Sequence, residues 1–313
     1  MLQGNRHKPT GSIRIIEVSP RDGLQNEADI VLTEDKVSFV NALSGTGVAE
    51  IEIGSFVSPH AIPQLADSDE VFRKIERRAG VTYSALVPNK RGLERATAVG
   101  IQKIAVFTAA SETFSQHNIK CGVRESIDRF APVVNEAQRN GMTVRGYIST
   151  VTHCPFEGPI APIRVSEVMH RLLQIGVEEI SLGDTIGKAT PSDVRRLLDE
   201  ILPHIERSRL SLHFHDTYGL AVANVLAAWT EYGIEAFDTA AGGLGGCPYA
   251  PGASGNVATE DAVYALKASG AGVSVDEQRV IAAARQIGKV LNHPLSSRLS
   301  RIPIEQTLHE RVT

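Results

Sequence analysis

Two rhythms alternate along the chain. Segments such as Ser166 to Ile175 and Val222 to Tyr232 carry apolar residues at helical spacing with charges between them, as one-sided helices do. Each such segment runs up to a glycine, and a β-branched run follows at once. The join occurs at Gly47–Ile53, Gly80–Leu86, Gly100–Val106, Gly141–Tyr147, Gly176–Leu182 and Gly233–Thr239. Glycine suits the left-handed residue beyond a helix C-terminus because it lacks a Cβ. The apolar run after it reads as a buried parallel strand.

An opening strand at Ile13–Val18 and another at Arg209–His213, after a helix over Pro191–Ile205, bring the strand candidates to eight. They recur every roughly 20 to 40 residues and alternate with helices throughout, which predicts a closed (β/α)8 TIM barrel. The competing architecture is a doubly wound open sheet. It would want a G-x-G-x-x-G after the first strand, and none is there. After the eighth strand come a glycine-rich loop, Gly242 to Asn256, and helical stretches at Thr259–Ser269 and Val275–Leu291, read as additional C-terminal helices. The segment from His293 is polar and weakly patterned. The whole chain, 1–313, is expected to form a single catalytic domain with its core at about 13–297 and short polar tails.

Composition narrows the function classes. The chain has 313 residues, of which 42% are apolar and 22% charged, with a net charge of −4. That balance leaves no basic footprint for nucleic acid or an anionic membrane surface. No apolar run approaches the roughly 18 residues of a membrane span, and Met1 to Gly11 has no secretory h-region. Three cysteines, Cys121, Cys154 and Cys247, lack metal-type spacing and point to reduced thiols in a cytosol-like compartment; an N-terminus unlike a transit peptide favours a bacterial-type cytoplasm over an organelle matrix.

In a barrel the loops after the strands carry the chemistry. Polar and ionisable residues gather at that rim from strands far apart in sequence. Strand one leads into Arg21-Asp22-Gly23, and strand two carries Glu52. Strand six ends in Gly183-Asp184, and strand seven runs into His213-Phe214-His215. The two histidines, two apart on a strand, point to the same side and can share a metal ion, although a hydrogen-bonded structural pair fits the spacing equally well. Asp22 can add an anionic ligand. Mixed oxygen and imidazole donors suit Mg²⁺ or Mn²⁺ better than a thiolate zinc site. Arg21 can hold an oxyanion, or simply occupy a solvent-exposed turn. Glu52 must find a cation to be tolerated in an apolar strand, and Arg21 is the natural partner. The small residues of Gly242 to Asn256 suggest a mobile loop that brings the Cys247 thiol to a ligand as an acid or base, with Asn256 able to offer an amide oxygen.

With these residues in view, the chain resembles the hydroxymethylglutaryl-CoA lyases, a metallolyase group shared with the isopropylmalate and homocitrate synthases. The resemblance runs from about Ile13 to Ser297 and rests on Glu17–Glu27, Ser55–Pro59, Ser181–Gly187, His213–Gly219, Gly242–Ala250 and Gly252–Asp261. It implies metal ligands Asp22, His213, His215 and Asn256. It implies catalytic roles for Arg21, Glu52, Asp184, His213 and Cys247, and substrate contacts from Arg21, Gln25 and Ser55. Two small departures stand out: Ser19 where the motif usually has glycine, and Ala28 after Glu27 where some members have lysine. The implied reaction is metal-assisted cleavage of 3-hydroxy-3-methylglutaryl-CoA to acetoacetate and acetyl-CoA, by a homodimer. A lyase for a longer branched hydroxyglutaryl-CoA, a condensing synthase, and a silent CoA-ester-binding barrel are the competing readings. The synthases usually carry a long C-terminal extension and lack the Gly-Gly-Cys-Pro-Tyr loop.

Overall fold

The computed structural model describes residues 11–246 and 255–302. Eight strands form the barrel: β1 (Ser12–Glu17), β2 (Glu50–Ser55), β3 (Thr82–Leu86), β4 (Lys103–Ala109), β5 (Thr143–Ser149), β6 (Glu179–Asp184), β7 (Leu210–Phe214) and β8 (Ala236–Thr239). Each pairs in parallel with the next, and β8 pairs back onto β1 through Arg14↔Ala236 to Glu17↔Thr239, so the sheet closes. All six glycines at the helix-to-strand joins have positive φ, from +67° at Gly233 to +99° at Gly176. The expected architecture is therefore present, and the helix–glycine–strand joins are its punctuation.

The helical stretch beginning at Thr259 is the eighth barrel helix, Thr259–Ala268, rather than an addition. The helix Glu277–Leu291 lies outside the eight units, packed against Thr33–Ser44 and Thr259–Ala268. The segment after His293 is better anchored than its weak pattern suggested. The Ser296 and Ser297 amides donate to the Gly242 carbonyl, and the Arg298 and Leu299 amides donate to the Asp261 carboxylate. Backbone hydrogen bonds of this kind carry no hydropathy signature, which is why a polar stretch concealed them.

The apolar core lies between the barrel and its helices, built from outward residues such as Ile15, Ile51, Ile104, Val144, Leu182 and Leu212. The lumen is different. Its lower part is a buried ionic layer in which Lys103 Nζ bonds Glu50 at 2.8 Å and Glu179 at 2.6 Å, while Ser84 donates to Glu50. Above it sits a small apolar layer of Leu86, Ala105 and Tyr147, with Phe107 against it. The site occupies the mouth above that layer.

Candidate functional site

Arg21 and Asp22 sit on one tight turn, Ser19–Gly23, directly after β1. The Val18 carbonyl accepts from the amides of Arg21, Asp22 and Gly23, which winds the chain a full turn at the barrel mouth. Only a residue without a Cβ fits at Gly23, where an added carbon would come within 2.9 Å of Leu244 Cβ. The turn is thus clamped to the glycine loop, and Asn26 adds a bond from its Nδ2 to the Gly246 carbonyl.

The expected pairing of Arg21 with Glu52 is present. Arg21 Nε donates to Glu52 Oε2 at 2.6 Å, and its Nη1 donates to Asp22 Oδ1 at 2.5 Å. Burial opposes the charge on Arg21, but the two carboxylates more than offset it and hold the guanidinium protonated. A bulge between Glu52 and Gly54 in the pairing of β2 with β3 resets the strand there.

Asp22, His213 and His215 present ligand atoms that all lie within 4.8 Å of one another. The two imidazole Nε2 atoms are 3.2 Å apart. Burial works against ionising Asp22, yet Arg21 and the two imidazoles hold its carboxyl well below the usual carboxylate range. Burial, reinforced by His213, pushes His215 down to about 4, so it is neutral and able to ligate. Asn256 bridges to His215 across the backbone, and its Nδ2 donates to Asp22 at 2.9 Å and to the Leu244 carbonyl at 3.0 Å. Its Oδ1 is buried with no hydrogen-bond partner, as is His215 Nδ1. A hard carboxylate, two imidazoles and a spare amide oxygen in one buried pocket are consistent with a divalent metal site.

Three further lumen residues, carrying no motif at a strand end, tie this cluster together. Asp238, fully buried on β8, is the register partner of His213, and its Oδ2 lies 3.4 Å from His213 Nδ1. Arg145 Nη1 bonds the other Asp238 oxygen at 3.2 Å and lies 3.4 Å from the Tyr147 hydroxyl. Tyr147 in turn donates to Glu52 at 3.2 Å, and the Arg21 and Arg145 guanidinium groups lie 5.5 and 5.6 Å from the centre of its ring. A polar path therefore runs Asp22–Arg21–Glu52–Tyr147–Arg145–Asp238–His213. The available signal was a charged residue inside each strand, at Arg145 and Asp238, as at Glu52.

Not every expected residue joins the cluster. Asp184 is the register partner of Phe214, not of His213, so it faces away from the lumen. Its carboxylate accepts from Thr152 Oγ1 at 3.0 Å and from the Ala189 amide at 2.9 Å, and burial raises its pKa to about 6. Ser55 lies off the cavity lining, with its Oγ accepting from the Val57 amide, whereas Gln25 lines the cavity. Cys247 lies outside the described residues. The described part of the glycine loop, Gly242–Gly246, is pinned near its start rather than free: Gly242 N bonds Glu260, and Gly242 O receives Ser296 and Ser297.

A cavity of about 1100 Å³ opens above the cluster. Arg21, Asp22, His213 and His215 form its floor. Phe107, Phe114, Ile30 and Ile62 supply apolar wall, and Lys90, Lys120 and Arg129 supply cationic edges.

Residues 12–287 match the HMGL-like family. The chain is 48% identical over 289 residues to a Pseudomonas aeruginosa protein, 3-hydroxy-3-isohexenylglutaryl-CoA/hydroxy-methylglutaryl-CoA lyase, covering 92% of this chain and 96% of that one. A crystal structure of hydroxymethylglutaryl-CoA lyase from Pseudomonas aeruginosa superposes with a TM-score of 0.91 at 46% identity, covering 96% and 98% of the two chains. An HMG-CoA lyase from Acenitobacter baumannii, in complex with coenzyme A and 3-methylmalate, has a TM-score of 0.88 at 40% identity, with 93% and 94% covered.

Proposed function

This chain belongs to the HMGL-like family, and on that premise we propose that it is a carbon–carbon lyase that cleaves 3-hydroxy-3-methylglutaryl-CoA to acetoacetate and acetyl-CoA. The observation that carries the reading is the buried Asp22–His213–His215 cluster with Asn256 beside it and Arg21 on the same wall. We take the catalytic unit to be one domain, the barrel with the helix Glu277–Leu291 added to it.

Asp22, His213, His215 and Asn256 are the residues that would hold the cation, for which Mg²⁺ or Mn²⁺ suits the donor set. When bound, such an ion supplies a Lewis acid that lowers the pKa of a chelated tertiary hydroxyl. The chain's own groups do the rest. The hydroxyl loses its proton and becomes the ketone of acetoacetate as the adjacent C–C bond breaks. The bonding electron pair passes onto the acetyl-CoA fragment as an enolate, which then takes up a proton at carbon. Arg21 stabilises the charge that develops on the thioester oxygen, held in place by Glu52 and Asp22. Asp184 faces away from the cavity, and we assign it to holding the turn after β6; His213 faces the cavity through Nε2, whose one lone pair serves either the cation or the hydroxyl proton, not both at once. Cys247 remains our candidate for the acid that protonates the enolate carbon.

The cavity of about 1100 Å³ has room for an acyl thioester, with Gln25 in its lining and Lys90, Lys120 and Arg129 suited to coenzyme A phosphates. A longer branched acyl chain is a finer alternative, favoured by the dual substrate name of the 48% identical relative. We further place the protein in the cytoplasm as a homodimer; free buried thiols at Cys121 and Cys154 fit a reducing compartment. Among the described residues no helix is long and apolar enough to cross a membrane.

The deciding experiment treats purified protein with EDTA, restores Mg²⁺ or Mn²⁺, and measures acetoacetate from hydroxymethylglutaryl-CoA and from a longer analogue. Metal-dependent acetoacetate release is expected. Absence of turnover on both substrates with metal present would refute the lyase reading.

A further inference from the structure

A histidine has two ring nitrogens, and only an unprotonated one can bind a cation or accept a proton. His213 Nε2 faces Asp22 and His215 at the cavity floor. Its Nδ1 faces the opposite way, into the lumen. There it is buried and makes no well-aligned hydrogen bond, and the Asp238 carboxylate faces it with Oδ2 at 3.4 Å.

Asp238 is itself held rigidly. Ser181 Oγ donates to its Oδ2 at 2.7 Å, and Arg145 bonds its Oδ1 at 3.2 Å. All three groups belong to the inward faces of β5, β6 and β8, so the rotamers are set by the barrel itself. A carboxylate accepts hydrogen bonds and cannot donate them. The nitrogen opposite Asp238 must therefore carry the proton, which leaves Nε2 bare toward the cavity.

We propose that Asp238, locked by Arg145 and Ser181, is a positioning residue that fixes the tautomer of His213 with the proton on Nδ1 and Nε2 free at the cavity floor. The inference deepens the proposed function and rests on it for the use of the free nitrogen, whether as ligand or as base; either duty requires the same atom. It has a corollary for the metal-free protein. With His213 Nε2 bare and 3.2 Å from His215 Nε2, His215 must carry its proton on Nε2 and donate across the gap. Two histidines two residues apart then hold opposite tautomers. The path through Arg145, Tyr147 and Glu52 further ties this lock to Arg21, so the metal-facing imidazole and the guanidinium share one frame.

The test is long-range ¹⁵N–¹H correlation of histidine-labelled, metal-free protein in alkaline buffer, with the two rings assigned through His213→Gln and His215→Gln. The expected result is Nδ1–H on His213 and Nε2–H on His215. A proton on His213 Nε2 overturns the proposal in the unmodified protein, whatever the variants do. In parallel, Mn²⁺ affinity is measured by electron paramagnetic resonance for the unmodified chain, Asp238→Asn and Ser181→Ala. Asp238→Asn should weaken Mn²⁺ binding by about 10- to 100-fold, the usual effect of losing an outer-shell partner of a metal-bound histidine. Ser181→Ala, which keeps every charge, should weaken it less. Affinity within about twofold in a folded Asp238→Asn would also overturn the proposal. A merely structural Asp238 would lower Tm while leaving the His213 tautomer and Mn²⁺ affinity unchanged. If the unmodified chain binds no Mn²⁺, the metal-dependent lyase reading fails instead, and the tautomers are still read separately.

Discussion

Replacing Arg21 separates charge from shape at the proposed oxyanion position. The guanidinium uses two different nitrogens at once, Nε for Glu52 and Nη1 for Asp22. A pair of unit charges about 4 Å apart is worth about 4 kcal/mol at an effective dielectric of about 20, before desolvation is subtracted. Arg21→Met removes that anchor and leaves Glu52 with the Tyr147 hydroxyl at 3.2 Å. The carboxyl then takes up a proton rather than remain an uncompensated buried charge. The fold should survive, because the apolar core lies outside the barrel. Catalysis should not. Loss of one preorganised donor to a developing oxyanion costs about 2.7–4 kcal/mol, or about 10²–10³ in kcat. Arg21→Lys restores the charge, but one ammonium cannot occupy both nitrogen positions, and misplacement by about 1 Å costs on the order of 10². Both variants should lose kcat while KM changes far less, in an acetoacetate assay with saturating Mg²⁺. If Arg21→Met keeps kcat within about tenfold, Arg21 does not stabilise the transition state. If Arg21→Lys matches the unmodified enzyme, the two-point geometry is irrelevant and only charge counts.

Three other outcomes follow from geometry already described. His215→Ala should abolish saturable Mn²⁺ binding without unfolding the chain, and calorimetric titration that still finds a stoichiometric site would remove His215 from the ligand set. Burial raises Glu260 from 4.5 to about 7, so the folded state binds the extra proton between those values and stability falls as pH rises through that window. Glu260→Gln, which keeps an acceptor for Gly242 N, should abolish that slope, so the difference in urea-unfolding stability shifts by about 3 kcal/mol between pH 4.5 and 7; a constant difference would refute the assignment. At Gly187, φ is +66° and an added Cβ would lie 2.8 Å from both the His215 carbonyl and the Thr217 amide. Gly187→Ala should therefore destabilise by about 2 kcal/mol or more and loosen Mn²⁺ binding, whereas an unchanged Tm would contradict the close approach.

The barrel was legible because its punctuation is chemical: a glycine whose φ must be positive, then a run of β-branched residues. The Arg21–Glu52 pair was legible by elimination, since a carboxylate inside an apolar strand needs a cation. Asp238 and Arg145 obey the same rule, but they stand lower in the lumen than the strand ends where site residues usually gather. Asp184 is the opposite case. It stands at a strand end, yet strand parity turns it outward beside Phe214, and only the register between β6 and β7 reveals that. The binding of Ser296 and Ser297 to the glycine loop runs through backbone groups, which every residue possesses, so no side-chain pattern announces it.

A largely polar lumen, broken by one thin apolar layer, and a shell built of hydrocarbon divide the work of each strand between alternate residues. Along β7, Leu212 and Phe214 belong to the shell, and His213 between them belongs to the lumen. Protein engineering can use that parity directly. A library confined to outward positions samples heat tolerance with the reaction left alone. One confined to inward positions samples substrate and metal preference against a scaffold that still folds. Two adjacent codons can thus be subject to separate selections.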